Sequence, residues 1–116
     1  MKKNTAIILW TITIIVLSLL PKSTLQNEHM KLFKGADKIV HFTMYFILMF
    51  LWYWRSRKPA RWSYLSIGII FSVALGITLE FLQKYYIPGR TFDILDIVAN
   101  VSGVLVVIIF IILKIF

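Results

Sequence analysis

Four long apolar runs constrain this chain more than any other feature of its sequence. They cover roughly residues 5–21, 38–54, 63–83 and 94–113. Each is close to the ~20 residues that an α-helix needs, at ~1.5 Å per residue, to cross the ~30 Å hydrocarbon core of a bilayer. Short segments of alternating polarity, as in a membrane barrel, are not seen in the sequence. The runs predict an all-α fold, an integral membrane four-helix bundle that forms one domain over residues 1–116.

The composition favours a membrane protein over a soluble one. Hydrophobic residues make up 59% of the chain, more than is usual in soluble domains. The net charge of +8 does not indicate a nucleic-acid partner, because most basic residues lie between apolar runs and not on one solvated face. The chain has no cysteine, which excludes a disulfide framework, a thiolate nucleophile and cysteine-ligated zinc.

The basic residues predict the orientation of the bundle. The loop "RSRKPAR", residues 55–61, carries four basic residues and no acidic one, and tryptophans typical of membrane interfaces flank it. These are Trp52, Trp54 and Trp62. The positive-inside rule places this loop in the cytoplasm, with both termini on the same side and residues 22–37 and 84–93 outside. The first apolar run is long for a signal peptide and lacks a small-residue cleavage site, so we expect it to be retained.

Polar residues inside the apolar runs cluster near the predicted outer surface. The second run opens with "DKIVHFTMY", the third closes with "EFLQK", and the fourth opens with "DILDIVAN". Steps of three and four residues place the polar groups of each helix on one face. At ~1.5 Å per residue, His41, Glu80 and Asp96 lie at similar depth and Asn100 about a turn deeper. Since charged groups in spanning helices are costly and usually functional, one shared outer pocket is predicted.

Small residues mark the faces on which the helices pack. Gly68, Ser72 and Gly76 recur every four residues and lead to Glu80. Ala99 and Gly103 have the same spacing beside Asn100 on the fourth run. Small residues at this spacing let helices approach closely, so the polar faces are expected to be the packed faces.

The order and spacing of these residues resemble the VanZ-like family of small bacterial membrane proteins. The pattern of that family runs D-K-x-x-H-F, then E-x-x-Q, then R-x-x-D-x-x-D-x-x-x-N-x-x-G. The chain carries it at Asp37, Lys38, His41, Glu80, Gln83, Arg90, Asp93, Asp96, Asn100 and Gly103. One departure follows Gly103, where the chain reads "VLVVIIF" and a second glycine is expected. That departure predicts looser packing of the second half of this helix.

The resemblance implies a cell-envelope role in a bacterial membrane, and the named member of the family is linked to low-level resistance to the lipoglycopeptide teicoplanin. It implies no settled mechanism. Expected partners are membrane lipids and a lipid-linked cell-wall precursor or a lipoglycopeptide, and no cofactor is expected. Metal binding is disfavoured because no ligand-spacing motif is present. An ion pathway is disfavoured because polar side chains nearly end below Asn100 and above Ser72.

Binding and catalysis both remain open as functions of the predicted pocket. In an enzyme, His41 would act as general acid or base with Glu80 or Asp96 orienting it, and Lys38 and Arg90 would stabilise negative charge. No dedicated nucleophile is evident, which favours binding or shielding of a headgroup. The candidate catalytic residues are His41, Glu80 and Asp96, and the candidate substrate-binding residues are Asp37, Lys38, Gln83, Arg90, Asp93 and Asn100.

Structural roles are open for several of the same residues. His41 is also consistent with a hydrogen-bonded interior histidine, and Asp37 and Asp93 with helix starts favoured by the helix dipole. Lys38 and Lys84 are expected to snorkel toward the headgroups. Arg90 is suited either to pairing with Asp93 or to binding phosphate through its planar fork.

Overall fold

The protein is all-helical throughout the part of the chain that the structure describes. A computed structural model describes residues 2–19, 36–56, 62–86 and 93–115. The helices are α1 (Lys2–Ser18), α2 (Ala36–Ser56), α3 (Trp62–Tyr86) and α4 (Ile94–Ile112). Each predicted apolar run coincides with one of these helices, which confirms an all-α fold with four helices in the described residues.

Two of the described helices are long and apolar enough to cross a membrane, judged by length and composition. They are α3, with 25 residues, and α4, with 19. The apolar part of α1, Asn4–Ser18, is shorter. Helix α2 is not among the helices that are apolar enough to cross a membrane. Lys38 and His41 near its beginning and Arg55 near its end interrupt its apolar run.

The largest interface in the bundle joins α2 and α4. Gly103 lies at its centre, where a β-carbon would stand 2.5 Å from the backbone oxygen of Phe42 and 2.9 Å from the backbone nitrogen of Phe46. Only a glycine permits this approach of two backbones. The predicted packing role of Gly103 therefore has a specific partner, the first half of α2.

The second half of α4 is packed in spite of the missing second glycine. Val104, Val107 and Ile111 are all buried after Gly103, and they join Leu48 and Met49 of α2 in the hydrophobic core. The predicted loosening of this segment is not found, because these branched aliphatic side chains are buried in the core.

Helix α3 buries its small residues on one face. Gly68, Ser72 and Gly76 are buried together with Glu80 and Gln83. A β-carbon at position 68 would meet the Trp52 ring at 2.8 Å, and one at position 76 would meet the Asn100 amide nitrogen at 2.8 Å. This face packs against α2 and α4. Glu80 and Gln83, at the polar end of α3, therefore lie in the interior of the bundle.

Helix α1 is attached to the bundle at two heights. The Trp10 indole N–H donates to the backbone oxygen of Met44 at 2.9 Å, and Gln83 Nε2 donates to the backbone oxygen of Ser18 at 2.6 Å. Ile14 of α1 is fully buried between these two contacts. The beginning of α1 lies at the end of the bundle where α2 ends and α3 begins, as the bond from Arg55 to Asn4 shows.

Candidate functional site

The candidate site is built where α4 begins. Asp93 is the N-cap of α4, with extended backbone angles (φ −129°, ψ 109°), and its carboxylate accepts a hydrogen bond from the Leu95 N–H at 2.9 Å. The Asp93 N–H in turn donates to Glu80 Oε1 at 3.0 Å. An aspartate at this position satisfies an N–H group that the helix leaves unpaired, so the expected role of Asp93 as a helix start is present. The same residue joins the start of α4 to the end of α3.

Lys38 connects α2 to the start of α4 through two carboxylates. Its ammonium nitrogen lies 2.7 Å from Asp93 Oδ2 and 2.6 Å from Asp96 Oδ1. Both distances are those of charge-assisted hydrogen bonds. Lys38 was expected to snorkel toward headgroups, and in the structure its ammonium is paired with these two carboxylates.

His41 and Glu80 complete the same group of side chains. His41 Nε2 lies 3.7 Å from Asp96 Oδ2, and the Glu80 carboxyl group neighbours that of Asp96. Asp96 therefore contacts a lysine and a histidine of α2 and a glutamate of α3. We call these five residues, Lys38, His41, Glu80, Asp93 and Asp96, the polar cluster.

The polar cluster is open on one side and closed on the other. The side chains of Lys38 and Asp93 are 28% and 37% exposed, whereas Glu80 is 1% exposed. The cluster holds three of the chain's five acidic residues, Glu80, Asp93 and Asp96. The Lys38 ammonium that donates to Asp93 holds the pKa of that carboxyl below its usual value. The open edge thus presents an ion pair, Lys38 with Asp93, to a ligand.

Within the polar cluster and below it, some polar atoms are buried without hydrogen-bond partners in the described part of the chain. They are His41 Nδ1, Asn100 Oδ1 and Ser72 Oγ. Asn100 lies one turn into α4 from Asp96, against Gly76 of α3. Buried polar atoms are usually paired, so these groups extend the polar character of the site into the bundle.

Tyr45 borders the site, although it is not among the candidate site residues predicted from the sequence. It is 1% exposed, it is close enough to Glu80 for the two to interact electrostatically, and its ring lies near Gly76. The signal that would identify it is its spacing, since it follows His41 by four residues on the same face of α2.

The other predicted site residues have different positions. Gln83 lies on α3 one turn beyond Glu80, and its amide is used to hold α1. Asp37 belongs to α2, but its side chain is outside the described part of the structure, and Arg90 lies wholly outside the described residues. Lys84, which was expected to snorkel, has its ammonium 5.4 Å from the centre of the Tyr85 ring.

The polar cluster does not have the arrangement of a metal centre. Among the described residues, no group of three or more His, Asp or Glu side chains is arranged to hold a metal ion. Within the cluster the two aspartates are instead directed at the Lys38 ammonium. What the arrangement offers a ligand is hydrogen bonding and charge.

The described residues are all-helical, and two of their helices are apolar enough to cross a membrane. With an ionic cluster at one end of the bundle, these features define a class of candidate membrane proteins with a polar site. Comparison with known families is more specific. The profile of the VanZ/LLP1 family matches residues 2–115, and the chain belongs to this family.

Similarity to individual proteins adds little about activity. The chain is 40% identical over 70 residues to "Uncharacterized protein C11E3.10" of Schizosaccharomyces pombe. The aligned region covers 58% of this chain and 41% of that relative, so the chain corresponds to less than half of the relative's length. No solved structure shows a significant match to the chain.

Proposed function

We propose that this chain is a multi-pass protein of the bacterial cell membrane, with both termini in the cytoplasm. Its polar cluster engages the headgroup of a lipid-linked cell-wall precursor or a lipoglycopeptide in the outer leaflet. By occupying or shielding that headgroup, the protein contributes to resistance to teicoplanin-like compounds. Membership of the VanZ/LLP1 family supports the envelope role. The orientation is argued from the basic loop at residues 55–61, and the binding of a headgroup from the polar cluster.

The apolar outer surface of the helices supports a position in the membrane. Large aliphatic side chains are more than half exposed along α3 and α4, among them Ile67, Ile70, Leu105 and Ile112. Continuous apolar surface of this kind is unfavourable in water and is the normal exterior of a helix in lipid.

The observation that carries the proposal is the contact of three helices through Lys38, Glu80 and Asp96. Charged residues are expensive in a membrane bundle, and a pure packing role would be met more cheaply by apolar side chains of similar volume. The cluster also has an accessible edge at Lys38 and Asp93. A donor and an acceptor side by side suit a headgroup rich in amide, hydroxyl or ammonium groups. Asp37, Gln83, Arg90 and Asn100 stay predicted contributors to this binding.

A hydrolase or transferase acting on a lipid-linked cell-wall substrate is the second candidate. The observation that favours it is the approach of His41 Nε2 to Asp96 Oδ2 at 3.7 Å. A carboxylate beside an imidazole can hold the ring in the orientation that a general acid or base requires. In this alternative Lys38 would stabilise negative charge on the substrate.

Isosteric substitutions test the role of the cluster. Asp96→Asn, Glu80→Gln and His41→Gln should each accumulate in the membrane and lose the protection against teicoplanin that the overproduced wild type gives a sensitive host. Asp93→Asn should lose less, because asparagine remains a good N-cap. The matched control is Ser102→Ala, which removes a hydroxyl bonded within α4 and should leave protection unchanged.

Normal accumulation with full protection in all three variants would contradict a functional polar cluster. Profiling of lipids and cell-wall precursors in the same strains separates the two candidates. A binding protein leaves the chemical structures of these molecules unchanged, whereas an enzyme produces or removes a modified species, and Asp96→Asn abolishes that change.

A further inference from the structure

A second site lies at the opposite end of the bundle from the polar cluster. A groove of about 400 Å³ runs between α1 and α3, with Trp52 of α2 in its wall. Its lining is mainly apolar and includes Ile8, Thr11, Ile12, Trp52, Tyr64 and Phe71. We call it the α1–α3 groove. Its volume is within the range of pockets that bind small molecules.

Two hydrogen-bonding groups in the wall of the groove have no partner. Thr11 Oγ1 and Trp52 Nε1 are buried and unbonded in the described part of the chain. A buried N–H that loses water without gaining an acceptor destabilises a structure. Both residues line the groove, and Trp52 lies one turn inward from Arg55, so an acceptor bound at that depth would satisfy the indole N–H.

A positive charge stands at the mouth of the groove. The Arg55 guanidinium donates to Asn4 Oδ1, and its central carbon lies 4.7 Å from the centre of the Tyr64 ring. Asn4 and Tyr64 both line the groove. Along α1 the groove continues from Asn4 to Ile12, which is ~12 Å of helix.

We propose that the α1–α3 groove binds one anionic glycerophospholipid. Arg55 binds the phosphate, the Trp52 indole N–H donates to an ester carbonyl, and an acyl chain lies along Ile8, Ile12 and Phe71. The groove has a positive charge at its mouth, hydrogen-bond donors one turn below and apolar walls beyond them. A glycerophospholipid has its phosphate, ester carbonyls and acyl chains in the same order. This inference rests on the proposed membrane position of the chain and not on the role of the polar cluster.

Native mass spectrometry of the purified chain with defined lipids tests the site. The wild type should retain one phosphatidylglycerol in preference to phosphatidylcholine. Arg55→Gln should reduce that preference about fivefold, which corresponds to the ~1 kcal/mol that one basic residue contributes near an anionic membrane surface. Thr11→Trp, which fills the groove, should abolish retention. Thr13→Trp is its control, because Thr13 is an exposed residue of the same helix.

The contact to the ester carbonyl has its own test. The wild type should bind an ester-linked phosphatidylglycerol about fivefold more tightly than its ether-linked analogue, the effect of one net hydrogen bond. Trp52→Phe keeps an aromatic wall without the N–H and should bind both lipids equally. An equal preference of wild type and Trp52→Phe for the ester would overturn the assignment of Trp52.

Other outcomes separate this inference from the proposed function. Asp96→Asn should retain the lipid as the wild type does. Three outcomes would each overturn the inference. The Thr11→Trp variant retains the lipid, the wild type carries no lipid, or the wild type forms a lipid-free dimer in which a second copy fills the groove. If sodium carbonate extracts the wild type from membranes, the membrane proposal fails first and the groove inference fails with it.

Discussion

At the scale of single residues, the site depends on side chains with two tasks each. Asp93 caps α4 through Leu95 and also accepts from the Lys38 ammonium. Lys38 balances the charge of Asp93 and Asp96 at the start of α4, two neighbouring carboxylates that would otherwise repel each other. A change at either residue is therefore expected to affect stability as well as ligand binding.

The ion pair of Asp93 makes stability depend on pH. Because the folded-state pKa of Asp93 is lowered by Lys38, its contribution to stability is present above the ordinary aspartate pKa of about 3.9 and is lost as the pH falls through the lowered value. Wild type should therefore melt at a higher temperature than Asp93→Asn above about pH 4. This advantage should shrink as the pH falls further.

Thermal unfolding of both proteins in detergent between about pH 3 and 7 measures this difference. Asparagine preserves the cap, and pH effects that are common to both chains cancel in the comparison. Ser102→Ala is the control, with an offset from wild type that should not vary with pH. A pH-independent difference between wild type and Asp93→Asn would show that the Lys38 pair adds no stability.

At the scale of the helices, two glycines have different surroundings and should tolerate change differently. At Gly103 the nearest atoms to an added β-carbon belong to the backbone of α2, and at Gly76 the nearest is the terminal nitrogen of the Asn100 side chain. A side chain can change its rotamer, whereas a backbone moves only if the helix moves. An added side chain at position 76 can therefore be accommodated by a new Asn100 rotamer, whereas one at position 103 requires a shift of α2.

Gly103→Ala should destabilise the bundle by about 1–3 kcal/mol, the usual cost of overpacking, because α2 and α4 must separate along their largest interface. Gly76→Ala should cost less than about 1 kcal/mol. The gain in helix propensity of alanine over glycine is common to both variants. Unfolding in mixed detergent followed by circular dichroism measures the two values, and equal losses would indicate that the backbone contact at Gly103 does not limit packing.

At the scale of the whole molecule, the described elements form an asymmetric bundle. The polar cluster occupies the end where α2 and α4 begin and α3 ends, and the α1–α3 groove occupies the other end. A headgroup site and a lipid site of this arrangement would face opposite leaflets. The proposed orientation therefore decides which leaflet each site serves.

Reporter fusions test that orientation. Alkaline phosphatase fused after Arg61 should be inactive, because the basic loop is predicted to be cytoplasmic, and a fusion within residues 24–30 should be active. Since the chain has no cysteine, single cysteines introduced at the same places provide an independent check by labelling from outside. The reverse pattern would place the polar cluster at the cytoplasmic face and remove the outer-leaflet function.

The sequence by itself determined the all-helical architecture and the face on which each polar residue lies. Both follow from local properties, namely the length of apolar runs and the 3.6-residue repeat of a helix. The similar depth of His41, Glu80 and Asp96 follows from the same repeat, since depth along a helix is a count of residues. Their functional roles stay a prediction.

Only the tertiary structure decided which of these groups are partners. Lys38 pairs with Asp93 and Asp96, Gln83 holds α1, and Val104 and Val107 of α4 are buried in the core. The α1–α3 groove likewise has no counterpart in any single stretch of sequence. The reason is that the pattern within a helix is independent of the rotation and height at which two helices meet, and those are set by the packing of side chains from all of them at once.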